Sequence, residues 1–124
     1  MKKSKLLISH RDSRGIIIDL LEKKTINAIT YITIKKNKVR GNHIHKKTTQ
    51  WIFILDGKIK LFTKKKNQKI KTITLKKNDL LETPPNEAHA FKAIRNSIFL
   101  VFTKGPRSGR NYEKDTFRLK LPLV

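Results

Sequence analysis

The stretch RGNHIHKKTTQWIFILDGKIKL, residues 40–61, decides the fold. Residues two apart in a strand project to one face, so His43 and His45 stand together. Gln50 opens the next apolar run, with Ile52 and Ile54 on its own side and Trp51, Phe53 and Leu55 on the other. If 40–45 and 50–55 are neighbouring strands, Gln50 leans back toward both imidazoles. Asp56-Gly57 offers the positive φ angles that a tight type I′ turn demands, which predicts a hairpin between "WIFIL" and "KIKLF".

The flanks extend the pattern. "AITYITIKK" (28–36), "KIKTITL" (69–75) and "NSIFLVFTK" (96–104) are β-branched and aromatic runs of strand length, punctuated by Gly, Asn, Asp and Pro. "KKNQK" makes a turn before "KIKTITL". Pro84-Pro85 cannot lie inside a central strand and marks the loop where "DLLET" ends. "ISHRDSRGIIIDLLE" (8–22) reads as a first hairpin or an edge strand. In the tail, Gly105-Pro106 and Ser108-Gly109 break regular structure, so 105–124 reads as a loop and short closing element. Trp51, Phe53 and Phe91 read as filling between sheets rather than a ligand platform.

A chain of 124 residues is one domain, large enough to bury a core, and we take 1–124 as that domain. No run reaches the length that spans a bilayer, and "MKKSKLLISHRDSRG" lacks the long apolar region of a signal peptide. A cytoplasmic location without membrane insertion is the expectation. The chain has no cysteine, which agrees with that location and excludes thiolate metal sites and cysteine nucleophiles. The net charge of +21 would attract phosphates or nucleic acid in a salt-dependent way. Yet its lysines are scattered among Ile and Asn between apolar runs, where turns and strand edges belong, so a solvated surface is the reading adopted and nucleic acid is not the expected partner.

Two imidazoles on one face, with His89 following a proline turn, point to a site rather than to histidines satisfied by backbone carbonyls. Two chemistries suit them. Imidazole moves protons near neutral pH. Alternatively His43, His45 and His89, with Gln50 as a weak fourth ligand, can hold zinc, iron, nickel or manganese. A neutral amide in place of a carboxylate removes charge a divalent ion wants, so no metal cofactor is expected. Arg107 and Arg110 can meet a phosphate or lie in a solvated loop.

"GNHIHKKTTQ" (41–50) followed by Asp56-Gly57 resembles the first motif of the cupins, and "PPNEAH" (84–89) is similar to their second. The order "DSRG", "YITI", "RGNHIHKKTTQ" and "PPNEAHAF" resembles the sugar-nucleotide cupins, namely the dTDP-4-keto-6-deoxyhexose 3,4-ketoisomerases and, more distantly, the dTDP-4-dehydrorhamnose 3,5-epimerases. The resemblance implies an all-β fold, a single cupin β-barrel of the jelly-roll, RmlC-like type. It also implies a metal-independent isomerase or epimerase acting on a dTDP-4-keto-6-deoxy sugar for polysaccharide or glycan synthesis. Carried over, His45 is the base, His43 its partner or a proton donor, and Tyr31 a sugar-contacting catalytic group. Arg40, Gln50 and His89 hold substrate, and Arg14 reaches the pyrophosphate. A homodimer is implied as well, with "GIIIDLL" (15–21) suited to strand exchange. The rival functions are a metal-dependent cupin enzyme and a non-catalytic cupin that binds a sugar or nucleic acid.

Overall fold

The computed structural model describes residues 1–107 and 109–124; Ser108, read above as a breaker, lies outside them. The described elements, in chain order, are β1 (Lys2–Ser4), β2 (Ile8–Asp12), β3 (Gly15–Ile18), β4 (Ala28–Ile34), β5 (Val39–Ile44), β6 (Thr49–Asp56), β7 (Lys58–Lys65), β8 (Lys71–Lys76), β9 (Leu80–Thr83), β10 (Glu87–Ala93), β11 (Ser97–Lys104), α1 (Gly109–Lys114) and β12 (Phe117–Arg118). The fold is nearly all β, with antiparallel pairing throughout. One sheet runs β1-β9-β6-β11-β4, a second runs β12-β5-β10-β7-β8, and β2-β3 form a separate hairpin. Among the described residues no helix is long and apolar enough to cross a membrane.

The sheets share one core. Ile52 and Ile54 of β6, Ile59 and Leu61 of β7, Phe91 of β10 and Phe99 of β11 belong to a single buried cluster drawn from both. Alternation puts the other side of β6 into a second cluster, in which Trp51 and Phe53 pack with Leu80, Leu20, Leu21 and Ile26. Trp51 and Phe53 are therefore core, but they do not fill the space between the sheets. They lie on the opposite face of β6, where Trp51 Nε1 donates to Glu82 Oε1 at 2.8 Å. Burial on both faces matches the unbroken apolar run from Trp51 to Leu55 in β6, as expected of a strand sandwiched on both sides.

The Asp56-Gly57 hairpin is not formed. β6 pairs with β9 and β11, whereas β7 pairs with β10 and β8, so Asp56-Gly57 is a corner at which the chain leaves one sheet for the other. For the same reason β5 and β6 are not neighbours: 40–45 and 50–55 lie in different sheets. Gly57 has φ +95, and a Cβ built there would lie 2.2 Å from Ser97 Oγ and 2.5 Å from the Asn96 carbonyl oxygen. Glycine is needed for close approach as well as for its conformation. The other turn assignments hold. β7 and β8 form a hairpin through Asn67 at φ 60, β9 ends at Thr83 before the proline pair, and β2-β3 is the expected first hairpin. The tail is more ordered than a loop, because α1 begins at Gly109 and β12 adds to β5.

Gly57→Ala is expected to destabilise the fold by at least about 2 kcal/mol, since the added methyl meets backbone as well as the Ser97 hydroxyl. Urea unfolding followed by Trp51 fluorescence measures the loss; wild-type stability in the variant would refute the close-packed corner.

Candidate active site

β5 and β10 run side by side with His43 opposite His89, and the register slips between His89 and Ala90. Gly41, at φ +94, lets β5 come this close, because a Cβ there would stand 3.0 Å from the His89 carbonyl oxygen. The Nε2 atoms of His43 and His89 are 3.0 Å apart, a distance at which one donates and the other accepts. His45 follows β5 on the same face, its ring centroid 4.7 Å from that of His43 and 5.4 Å from that of His89. The three imidazoles anticipated from separate stretches of sequence are thus one cluster. It adjoins a cavity of about 190 Å³ lined by His43, His89, Gln50, Arg40, Phe91 and Phe99 between the two sheets, with Arg107 and Tyr112 from the tail closing it.

The tail also orients His45. Its Nδ1 lies 2.9 Å from the backbone carbonyl of Asp115, and a carbonyl only accepts, so Nδ1 carries the hydrogen. Nε2 is left with its lone pair, buried and without a hydrogen-bond partner among the described residues. The Asp115 side chain is itself buried and accepts from the Thr48 hydroxyl at 2.6 Å and from the amides of Lys46 and Lys47, both at 3.1 Å. Burial alone would raise the Asp115 pKa, but these donors outweigh it and hold the carboxyl below its ordinary value. One residue thus secures the β5–β6 connection with its side chain and the histidine with its carbonyl.

All three imidazoles are driven toward the neutral form. Burial lowers the His43 pKa to about 4, helped by the neighbouring His45, Arg118 and Arg107. Burial pushes His89 down to about 3, with His43 and His45 adding to the effect. His45 is lowered as well, mainly by burial, while its bond to the Asp115 carbonyl and the nearby carboxylate work the other way. Neutral imidazoles can accept a proton or ligate a metal; the three donor nitrogens lie within 4.8 Å of one another.

Not every anticipated residue arrives here. Gln50 does, by crossing from the facing sheet rather than leaning from a neighbouring strand. Arg40 does, with its Nε donating to the Thr33 carbonyl at 3.2 Å. Tyr31 does not. It sits on the outer face of β4, 61% exposed, while its neighbour Ile32 lines the cavity. Arg14 is also elsewhere, in the β2–β3 turn, bound through Nη2 to Asp12 at 2.7 Å. Sequence reasoning missed Tyr112 and Asp115. Arg107, one of two readings for the tail, is present and stacks 4.2 Å over the Tyr112 ring. Nothing local marks Asp115, since its value lies in partners about seventy residues away.

The model of the polysaccharide biosynthesis C-terminal domain family matches residues 10–117. No curated protein matches in sequence. Among solved structures, the chain is similar to QdtA, a sugar 3,4-ketoisomerase from Thermoanaerobacterium thermosaccharolyticum in complex with TDP, at 25% identity and TM-score 0.76, covering 95% of this chain and 85% of that one. A 3,4-ketoisomerase from Helicobacter canadensis matches at 25% identity and TM-score 0.76, over 92% of this chain and 89% of its own. The dTDP-4-dehydrorhamnose 3,5-epimerase of Sulfolobus tokodaii shares the fold at 22% identity and TM-score 0.70, over 86% and 70% of the two chains. The resemblance to sugar-nucleotide cupins carried by residues 40–89 is therefore met.

The depressed His89 pKa has a consequence for stability. The unfolded chain binds a proton at this histidine below about pH 6.5, whereas the folded chain does so only near pH 3. Its contribution is therefore complete above pH 6.5 and is lost as pH falls toward 3, amounting to about 2 kcal/mol lost by pH 5. Urea unfolding of wild type and His89→Gln at about pH 7.5 and pH 5 is expected to show a smaller acid loss in the variant. Equal losses would refute the buried neutral imidazole.

Proposed function

This chain belongs to the polysaccharide biosynthesis C-terminal domain family, and from that premise we propose that it is a nucleotide-sugar modifying cupin that moves protons on a dTDP-4-keto-6-deoxy sugar, as a 3,4-ketoisomerase or an epimerase-like enzyme. The observation that carries this reading is the buried Nε2 of His45, oriented by Asp115 and without a hydrogen-bond partner among the described residues, next to His43 and His89, which line the cavity together with Gln50. Likeness to two 3,4-ketoisomerases across almost the whole chain supports it. The reading places the enzyme in the cytoplasm, in a closed jelly-roll barrel formed by the two sheets.

In the isomerase form, Nε2 of His45 takes the C3 proton. The electron pair becomes the C3–C4 double bond, and the C4 oxygen gains the charge. A proton from the cavity then neutralises that oxygen, giving an enediol. Loss of the C3 hydroxyl proton and delivery of a proton to C4 complete the shift of the ketone. Epimerisation uses the same first step and returns the proton to the other face of the same carbon. Arg40, Arg107 and Gln50 stabilise the developing oxyanion, and Tyr112, which lines the cavity where Tyr31 does not, contacts the sugar. His43 and His89 share a hydrogen between their Nε2 atoms and so can pass one on. The cavity, about 190 Å³, is smaller than the roughly 300–1,000 Å³ of sites for drug-sized ligands. It takes the sugar ring, and the nucleotide lies outside it.

Deuterium uptake from heavy water into dTDP-4-keto-6-deoxyglucose, read by proton NMR, tests the reading. Wild type is expected to exchange C3, and His45→Asn to lose at least about a hundredfold in rate. A folded wild type that exchanges nothing would overturn the assignment for this sugar. The donor set of His43, His45 and His89 favours one second reading, a divalent-metal enzyme, although the Arg107 and Arg118 charges that depress His43 also oppose a cation. The same assay after dialysis against a chelator separates the two, with an unchanged rate expected.

The exposed apolar residues Ile16, Ile17, Ile29 and Tyr31 lie on the β2–β3 hairpin and the outer face of edge strand β4. They support a homodimer through this surface. Sedimentation equilibrium is expected to give twice the chain mass for wild type and a monomer for Ile17→Lys with Ile29→Lys; a monomeric wild type would remove the proposal.

A further inference from the structure

A second concave surface lies on the far side of the β12-β5-β10-β7-β8 sheet. The chain after β12 is laid back along β5, with the Leu119 amide donating to the Asn42 carbonyl at 2.9 Å and the Leu123 amide to Asn42 Oδ1 at 2.8 Å. Between this strap and the end of the β7–β8 hairpin is a groove of about 450 Å³. Its floor is apolar, made by Ile44, Ile70, Ala88, Leu119, Leu121 and Leu123. Lys64, Lys65, Lys66 and Lys120 form its rim. The groove shares no lining residue with the histidine cavity.

Two features narrow the occupant. Leu121 is 84% exposed and Ile70 46%, so apolar side chains project beyond the surface as well as into the groove. Among the described residues, the one carboxylate within ion-pair reach of the rim lysines is Glu87, 3.9 Å from Lys65, and it is buried against the Met1 ammonium at 2.5 Å. The rim thus keeps its positive charge for an outside partner. A nucleic acid would call for stacking aromatics and guanidinium forks, and the lining residues include neither. Leucine and isoleucine tips encircled by lysines match the two layers of an anionic bilayer surface, acyl chains beneath phosphates.

We propose that this face docks peripherally on an anionic phospholipid membrane, with Leu121 and Ile70 entering the headgroup boundary and Lys64, Lys66 and Lys120 contacting phosphates. The lysines supply the long-range attraction and the apolar tips hold the protein once it arrives. The proposal stands independently of the chemistry at the histidines.

The test must separate this face from the diffuse charge of a +21 chain. Co-sedimentation is measured at low ionic strength with vesicles of phosphatidylcholine alone and of equimolar phosphatidylcholine and phosphatidylglycerol. Binding is expected only to the second. Lys64→Glu with Lys66→Glu should weaken it at least about tenfold, whereas Lys35→Glu with Lys38→Glu, an equal charge change beyond the opposite end of β10, should leave it near wild type. Leu121→Ser should lose the binding that survives added salt, and Leu121→Trp should show a blue-shifted emission on vesicles as its indole leaves water. Equal weakening by both lysine pairs, or no emission shift at residue 121, would overturn the proposal. So would groove variants that bind vesicles normally but lose affinity for polyuridylate, an acidic peptide or a second copy of the chain.

Discussion

The buried carboxyl group of Asp115 ties the parts of this molecule together. A charge taken out of water must be compensated, and here two amides and a hydroxyl from residues 46–48 do so. Satisfying that group brings the C-terminal segment onto the end of β5. The same contact places the Asp115 carbonyl on His45 and carries Arg107 and Tyr112 to the mouth of the cavity. The site is therefore assembled where the middle and last thirds of the chain meet, and the order of the tail and the tautomer of the histidine are linked through Asp115.

The second governing fact is electrostatic. Three imidazoles sit within a few ångströms of each other in a chain with 30 cationic side chains and nine acidic ones. Protonating any of them would place a charge in a poorly solvated space near Arg107 and Arg118. Burial and repulsion act in the same direction, so the cluster stays neutral and keeps free lone pairs. In the proton-abstraction chemistry proposed above, a neutral imidazole is the form that accepts a proton, and the surrounding cations would favour an anionic intermediate. Gln50 fits that balance, contributing a dipole where an additional carboxylate would have held a proton or a metal.

Much of this was legible in residues 40–61 and 84–89. His43 and His45 had to share a face because strands alternate, and the proline pair had to end β9 because proline cannot stay in a ladder. The Asp56-Gly57 reading failed for an instructive reason. Positive φ at glycine serves a hairpin and a corner equally well, and only the pairing of β6 with β11 and of β7 with β10 distinguishes them. Tyr31 failed in a similar way. Its alternation with Ile32 was plain, but which of the two faced inward depended on where β4 lay in the sheet. Asp115 and Tyr112 gave no local sign, because a capping carboxylate and a cavity-lining phenol are defined by distant partners.

The amino-acid sequence by itself determined the main strands and most of their punctuation. It set a β-rich chain, the histidine pair on one face, the turn at residues 65–69 and a resemblance to sugar-nucleotide cupins, all of which rest on patterns a few residues long. Tertiary structure decided that Gln50 reaches the histidines from the opposite sheet, that Trp51 and Phe53 pack outside the central core, and that the tail closes the site. Those outcomes depend on which strands pair across tens of residues, and that choice is made by burying apolar faces and satisfying polar groups over the whole chain at once.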